Sequence, residues 1–382
     1  MVEAGEVEPL EPERHRCARL GLRHNHTRDR GTTMNDVTTY GLDLAKRVFQ
    51  VHWVDVQSGE VHRKTLPRTQ VSVFFARAPR GVVAMEACGS AHHWGRLLQT
   101  MGHAVKLIAA QFVRPFVKTN KTDAADAQAI WEAAQRPEMR FVALKSEQQQ
   151  AVLSLHRLRA QWVKVRTLQA NQIRGLLYEF GVVVPLGWRA LLNVATEQLT
   201  DPTEGSVPVL LRDELLKQLQ ALRDATARIV ALEKQLASWQ RTAAECQRIM
   251  AIPGVGLLTA TAVVASVADA QQFRSARQFA AYLGLVPRQS GTGGRVKLLG
   301  ISKRGDTYLR TLLIHGARSV LLSQSRHGRS VDPWLGALLQ RRPSNVVVVA
   351  LANKMARTIW ALLAQRRTFD ANWHRGAIHG VA

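Results

Sequence analysis

Between Thr39 and Leu66 the chain has the sequence TYGLDLAKRVFQVHWVDVQSGEVHRKTL. β-Branched and aromatic residues are concentrated in two runs, Thr39–Ala45 and Val48–Val56, and such runs are typical of β-strands. Residues 57–59 form a predicted turn, after which Val61–Leu66 pairs back as a third strand. This segment therefore predicts an antiparallel meander of three strands.

Helices and strands alternate after this meander. The apolar spacing predicts one helix over Val71–Arg77 and another around Ala91–Met101. The apolar runs Val82–Ala87 and Ala104–Ala110 predict two further strands. Three meandering strands followed by alternating helices and strands indicate a small mixed sheet with helices on both faces, which is an α/β fold.

The middle of the chain, residues 147–245, is predicted to be helical. A stripe at helical spacing and a heptad repeat mark its apolar faces, and they are formed by Leu155, Leu158, Trp162 and Val165 and by Leu215, Leu222, Ile229 and Leu236. The heptad repeat is typical of a coiled coil, and additional apolar neighbours make packing in a helical bundle an equal alternative. Residues 181–208 contain several prolines and glycines, so they are predicted to be a connector.

A small, mostly helical domain is predicted from Ile252 onward, closed by helices from about Asn345 to Ala364. Ile252–Ala260, with the sequence IPGVGLLTA, is typical of the hairpin of a helix-hairpin-helix element, in which glycines let the backbone approach a phosphate. An ordinary turn between two helices is the alternative.

We predict four parts along the chain. Residues 1–37 are a disordered or mis-assigned extension, because residues 1–33 show no periodicity and Met34 directly precedes strand-like sequence. Residues 38–146 form the α/β domain, residues 147–247 the helical region, and residues 248–382 the C-terminal domain. Translation that starts at Met34 rather than Met1 is the corresponding hypothesis.

Charge is the strongest signal in the composition. The 382 residues include 52 Lys and Arg against 29 Asp and Glu, a formal net charge of +23, and the sequence pI is about 11.1. The hydrophobic fraction of 46% excludes wholesale disorder. Because lysine and arginine gain affinity by displacing phosphate counterions, a folded chain this basic indicates a nucleic-acid partner. A structural binder without chemistry has the same charge signature.

Other function classes are disfavoured by the motifs that the sequence lacks. The three cysteines, Cys17, Cys88 and Cys246, are too far apart for a CxxC zinc site or a disulfide framework, which indicates a reducing compartment. The sequence contains no GxxxxGK[ST] phosphate-binding loop and no HExxH motif. No uninterrupted apolar run approaches the ~18 residues of a membrane span, so no membrane partner is expected.

Four carboxylates stand in unusual surroundings. Asp43 and Glu86 each interrupt an apolar predicted strand, and a buried carboxylate is unfavourable without a compensating cation. Asp123 and Asp126 are three residues apart and share one face of a helix start. Each acid alone has an ordinary explanation, such as a helix cap or an ion pair. Together, in this order of elements, they are typical of an RNase H-like nuclease core whose acids bind Mg²⁺.

The acids and their neighbours resemble a known family, the DEDD-type insertion-sequence transposases with a RuvC-like domain. The matching motifs are Tyr40–Lys46 (YGLDLAK), Met85–Ser90 (MEACGS), Lys121–Ala127 (KTDAADA) and Gly284–Arg288 (GLVPR). The resemblance implies DNA transposition in the prokaryotic cytoplasm, with the protein at the nucleoid when active. It also implies Mg²⁺ bound by Asp43, Glu86, Asp123 and Asp126, a homo-oligomer (a dimer or tetramer), and a non-coding bridge RNA that pairs with the DNA.

Ser290 is the candidate nucleophile of the C-terminal domain. It lies between Arg288 and a run of glycines, where the backbone allows close approach and arginine offsets developing charge. From the residues alone a flexible polar loop is the more ordinary explanation. The resemblance places a catalytic serine, forming a covalent phosphoserine with DNA, just after the GLVPR segment, so Ser290 takes that role and Thr292 is the weaker candidate.

Basic residues concentrate in two regions that are predicted to bind nucleic acid. Residues 151–178 contain no acid, and residues 274–318 contain nine basic residues against a single acid, Asp306. The predicted contacts are Arg157, Arg159, Lys164 and Arg166 in the helical region and Arg288, Arg295, Lys297, Lys303 and Arg304 in the C-terminal domain. A solvated coil face is the alternative for the helical group.

Three functions are compatible with these patterns. The first is a transposase with a metal site and a serine nucleophile. The second is a structure-selective endonuclease that uses metal-activated water without a covalent step. The third is a nucleic-acid-binding protein without catalysis, which the four intact carboxylates disfavour.

Overall fold

The computed structural model describes residues 37–117, 122–200, 206–327 and 332–370. The predicted N-terminal extension, apart from Val37, therefore lies outside the described residues. The predicted domain boundaries near residues 146 and 247 stay predictions.

One mixed sheet of six strands forms the N-terminal part of the structure, in the order β3-β2-β1-β4-β5-β6. Its strands are β1 (Thr39–Asp43), β2 (Val48–Val54), β3 (Val61–Pro67), β4 (Val82–Glu86), β5 (Ala104–Ile108) and β6 (Phe141–Val142). β1 runs antiparallel to β2 and parallel to β4. The predicted meander and the mixed α/β sheet are confirmed, and the arrangement is consistent with an RNase H-like domain.

Helices cover both faces of this sheet. They are α1 (Val71–Arg77), α2 (Ala91–Thr100), α3 (Ala110–Val113) and α4 (Asp123–Ala134). Alternate residues of β1 point to opposite faces. Tyr40 and Leu42 pack in one cluster with α1 and α2. On the other face, Ala84 of β4 packs with Ile130 of α4.

Gly41 is the point where α4 lies directly on β1. A Cβ atom at this position would lie 2.3 Å from the carbonyl oxygen of Ala127 and 2.7 Å from Cβ of Trp131. Gly41 and Asp43 share a face because they are two residues apart in a strand. Asp123, Ala127 and Trp131 share a face of α4 because they recur every four residues. The missing side chain of Gly41 therefore lets α4 present its first turn to Asp43.

Three helices form the middle of the chain: α5 (Glu147–Glu179), α6 (Trp188–Thr200) and α7 (Val209–Thr242). The four heptad residues of α7 are all buried. The predicted stripe on α5 is wrong at Leu158, which is 46% exposed. The buried positions of α5 are instead Val152, His156, Ala170, Ile173 and Leu177.

The predicted connector over residues 181–208 is wrong in its central part, because helix α6 occupies residues 188–200. Leu191, Ala195 and Leu199 recur at helical spacing and are buried in the same cluster as residues of α5 and α7. The helix-breaking residues lie at its ends: Gly187 precedes α6 and Pro208 is the N-cap of α7. The prolines and glycines thus mark the helix boundaries and do not exclude a helix between them.

The C-terminal part is mostly helical, as predicted. It consists of α8 (Ala244–Met250), α9 (Leu257–Ser266), α10 (Ala276–Tyr282), strands β7 (Pro287–Thr292) and β8 (Arg295–Ile301), α11 (Thr307–His327), α12 (Pro333–Leu339) and α13 (Ser344–Ala364). Helices α8 and α9 flank the turn of the predicted helix-hairpin-helix element. A function of that turn in phosphate binding stays a prediction.

Helix α13 is long and apolar enough to cross a membrane, by length and composition alone. The expectation that no segment could span a membrane is therefore wrong for this helix, in which Asn353, Lys354 and Arg357 interrupt the apolar residues. Eight residues of this helix are buried, and they pack in the core of the C-terminal part. This packing accounts for its apolar character within the structure.

We predict that Gly41→Ala destabilises the sheet domain by about 2 kcal/mol or more, because a backbone carbonyl occupies the position of the new methyl group. Gly89→Ala is the matched control, since a Cβ there meets no atom within 4 Å. Denaturant unfolding of both variants measures the difference. Equal stability of the two variants would contradict the close packing of α4 on β1.

Candidate active site

Two of the four predicted acids lie side by side at the carboxyl ends of the two central strands of the sheet. Asp43 is the last residue of β1 and Glu86 the last residue of β4. These strands are parallel, and Leu42 pairs with Met85. Asp43 and Glu86 are therefore the next residues of two adjacent strands, on the face that α4 covers.

The other two acids lie in the first turn of α4. Thr122 is the N-cap, and its side-chain oxygen accepts a hydrogen bond from the backbone N–H of Ala125 at 3.3 Å. Asp123 is therefore the first residue of the helix and not its cap, so the capping explanation for Asp123 is wrong. Its charge still complements the positive end of the helix dipole, as does that of Asp126.

Asp43, Asp123 and Asp126 converge on one point. Each offers a carboxylate oxygen that lies within 4.8 Å of the other two. Asp43 and Asp126 are half-buried and Asp123 is exposed. Glu86 is not part of this group of three, although its charge is close enough to act on Asp43.

The electrostatics of this cluster favour a cation. Burial, followed by the charges of Asp126, Asp123 and Glu86, raises the pKa of Asp43 to about 6, and a hydrogen bond from the backbone N–H of Leu44 opposes the shift. Carboxylates this close together repel one another unless a proton or a cation compensates them. An all-oxygen donor set is the type that hard divalent cations prefer, so the residues fit a divalent metal.

Ser290 lies on a strand, and the prediction of a loop at this position is wrong. Gly293 and Gly294 both have positive φ angles, 55° and 77°, as a two-residue hairpin turn requires. Because these two residues make the entire turn, β7 continues through Ser290 to Thr292. Ser290 pairs with Lys297 and Thr292 with Arg295 on β8. Every residue of β7 is exposed.

Two of the basic residues in the predicted nucleic-acid regions have structural roles. Arg159 donates a hydrogen bond to Glu233 at 2.7 Å, which joins α5 to α7, and its side chain is only 20% exposed. Arg310 is buried and donates to the carbonyl oxygens of Leu283 and Arg304 at 3.1 Å each. The contacts of Arg310 fix the base of the β7–β8 hairpin. Arg159 has a packing role between α5 and α7, and its contact with nucleic acid stays a prediction.

The remaining predicted contacts are more accessible. Arg157 and Lys164 on α5 are exposed, and Arg166 lies 5.4 Å from the ring centroid of Trp188. The five C-terminal cations are all exposed, and they are Arg288, Arg295, Lys297, Lys303 and Arg304. Their function in nucleic-acid binding stays a prediction.

A buried histidine that the sequence did not single out connects the helical middle to the C-terminal part. His156 of α5 contacts the hydroxyl groups of Tyr308 at 2.9 Å and of Thr261 at 3.0 Å. Burial, with a smaller effect of Arg159, lowers the pKa of His156 to about 4, so its ring is neutral at physiological pH. His156 thus helps to fix the orientation of the hairpin-bearing part on α5.

Two protein-family models match this chain, one in its N-terminal half and one in its C-terminal part. A transposase family model of the DEDD type matches residues 40–181, which include all four acids. A second model, described as transposase IS116/IS110/IS902 family, matches residues 246–331, which include Ser290. The chain belongs to the IS110 family of insertion-sequence transposases.

Three relatives illustrate this membership. A protein of Pseudomonas aeruginosa described as "Probable family 20 transposase" is 52% identical over 337 residues, covering 87% of this chain and 99% of the relative. The transposase for insertion sequence element IS1111A of Coxiella burnetii is 42% identical, covering 89% and 93%. The transposase for insertion sequence element IS1328 of Yersinia enterocolitica is 40% identical, covering 88% and 100%.

The raised pKa of Asp43 predicts a stability effect in this transposase. Its value of about 6 exceeds the ordinary 3.8, so the contribution of Asp43 to the free energy of unfolding is fully present below about pH 4 and is lost as the pH rises to about 6. Asp43→Asn removes this decline. We predict that, without divalent metal, the variant has a higher Tm than wild type at pH 7.5 and that the difference shrinks at pH 4.5.

Thermal unfolding in EDTA at both pH values measures this effect. Asp55→Asn is the control, because Asp55 lies at an exposed turn of the same sheet domain and hydrogen bonds lower its pKa instead. A wild-type protein that is more stable than Asp43→Asn at pH 7.5 in EDTA would contradict the repulsion described here.

Proposed function

We propose that this transposase cleaves and rejoins DNA strands with Mg²⁺ bound by Asp43, Glu86, Asp123 and Asp126 and with Ser290 as nucleophile. The observation that carries the proposal is the convergence of Asp43, Asp123 and Asp126, from a strand and a separate helix, to within 4.8 Å. Such a set of carboxylates is unfavourable by itself and is stabilised by a divalent cation. The family membership supplies the DNA substrate.

The four acids and the serine have different tasks in this proposal. The cation, when bound, supplies Lewis-acid polarisation of the scissile phosphate. Asp43 and Glu86 hold it from the rigid sheet, and Asp123 and Asp126 close the site from α4. Ser290 Oγ forms a bond to phosphorus while the bond between phosphorus and the leaving deoxyribose oxygen breaks. The serine proton passes to solvent, and the leaving oxygen takes a proton from solvent.

The exposed basic residues and the family resemblance together indicate which macromolecules this transposase binds. DNA ends and target DNA are expected to contact the exposed cations of the hairpin. We propose in addition a non-coding bridge RNA, supported by the resemblance and by the exposed Arg157 and Lys164 on α5. We also propose, from the resemblance, a homo-oligomer in which the serine of one protomer serves the metal site of another. RNA that copurifies with the chain, extracted and sequenced, tests the RNA partner.

Ser290→Ala is predicted to abolish covalent capture of DNA while folding and metal binding remain intact. Ser290 is exposed on β7, so its truncation changes the free energy of unfolding by about 0.5 kcal/mol or less. The measurement is a denaturing gel of labelled DNA with wild type, Ser290→Ala and Thr292→Ala. The shifted protein–DNA band is expected with wild type and Thr292→Ala and absent with Ser290→Ala.

The same gel separates the competing functions. A band that persists in Ser290→Ala and is lost in Thr292→Ala would make Thr292 the nucleophile. Cleavage by wild type without any covalent band would favour the endonuclease with metal-activated water. Metal and DNA binding without cleavage would favour the nucleic-acid-binding protein without catalysis.

A further inference from the structure

The β7–β8 hairpin has two chemically different faces. Residues that pair across the two strands point to the same side, and each strand alternates sides along its length. One face, which we call the hydroxyl face, therefore carries Ser290 and Thr292 of β7 together with Arg295 and Lys297 of β8. The opposite face carries Gln289, Gly291, Val296 and Leu298.

The hydroxyl face concentrates charge as well as hydroxyl groups. Two of its four residues are cations, the other two are the candidate nucleophiles, and all four are exposed. The opposite face is uncharged, with Val296 and Leu298 exposed at 65% and 62%. Like-charged neighbours on an isolated two-stranded ribbon repel one another. The hydroxyl face is therefore complementary to a polyanion such as a DNA backbone.

Lys297 has a special position on this face. It pairs directly with Ser290 across the two strands, and the Cβ atoms of such a pair lie about 5 Å apart. A lysine side chain extends farther from the sheet than a serine side chain. A phosphate in contact with Ser290 Oγ thus lies within reach of the Lys297 ammonium group, and Arg295 is the next cation on the same face.

We propose that Lys297 is a catalytic residue that contacts the phosphate under attack by Ser290. This inference rests on the proposed function of Ser290. As the bond from Ser290 Oγ to phosphorus forms and the bond to the leaving deoxyribose oxygen breaks, negative charge accumulates on the non-bridging oxygens. The Lys297 ammonium group stabilises that charge from a position fixed by strand pairing, without itself gaining or losing a proton.

The experiment compares Lys297→Gln, Lys297→Arg and wild type in single-turnover formation of the covalent DNA band at saturating DNA. Lys297→Gln is expected to lower the rate about 100-fold, the size of effect seen when one stabilising donor is removed from a transition state. Lys297→Arg keeps the charge and is expected to restore most of the rate. Arg357→Gln, which removes an exposed charge from α13, controls for net charge and is expected to match wild type.

A second substrate separates a contact with the phosphate from a structural effect on the hairpin. Replacement of the scissile phosphate by methylphosphonate removes one negative oxygen, so the cation has less charge to stabilise. The ratio of wild-type to Lys297→Gln rates is then expected to fall toward one. A ratio that stays near 100 would overturn the proposed contact.

The failure of this inference differs from the failure of the proposed function. If wild type forms a band that requires Ser290 and Lys297→Gln forms it at the wild-type rate, Lys297 has no catalytic role and Ser290 keeps its own. If Lys297→Arg is as slow as Lys297→Gln, charge is not the relevant property and the inference is wrong. If the band does not require Ser290, the proposed nucleophile is wrong.

Discussion

The close approach of helix α4 to strand β1 at Gly41 is the contact on which the candidate metal site depends. Asp43 lies on the sheet, whereas Asp123 and Asp126 lie 80 or more residues later in the chain. They meet because α4 crosses β1 where no side chain separates the two backbones. The neighbouring cluster of Ala84, Ala129, Ile130 and Ala133 extends this contact to β4. The small residues at this interface let α4 pack close to the sheet, and its first turn therefore lies over Asp43.

The same contact creates an electrostatic conflict within the folded chain. Packing that brings three aspartates together also raises the pKa of Asp43 to about 6. A site of this kind reduces stability in the absence of a cation and gains stability when one binds. The hairpin has the complementary property, because its hydroxyl face concentrates positive charge without a compensating acid. An acidic centre and a basic hairpin in one transposase suit two parts of a phosphate-transfer reaction, one for the metal and one for the DNA backbone.

Local patterns in the sequence predicted the sheet and the acids well, whereas contacts between distant segments were missed. Runs of β-branched and aromatic residues predicted β1 and β2, the turn after them predicted β3, and apolar runs predicted β4 and β5. The acids stood out because charge is unusual in an apolar strand. The pairing of Arg159 with Glu233 spans 74 residues, and no local signal reports it. Gly291, Gly293 and Gly294 suggested a loop around Ser290, although only the last two make the turn. The contacts of His156 likewise depend on how α5, α9 and α11 pack.

Cleavage of the polypeptide by a redox-active metal would locate the ion within the folded chain. Fe²⁺ in place of Mg²⁺, with ascorbate and peroxide, generates hydroxyl radicals that cut the polypeptide near the bound ion. Cuts are expected beside Asp43, Glu86 and residues 123–126, identified by mass spectrometry of the fragments, and these cuts are expected to be lost in Asp126→Asn. Cuts elsewhere in the chain, or an unchanged pattern in Asp126→Asn, would contradict a metal site formed by α4 and β1.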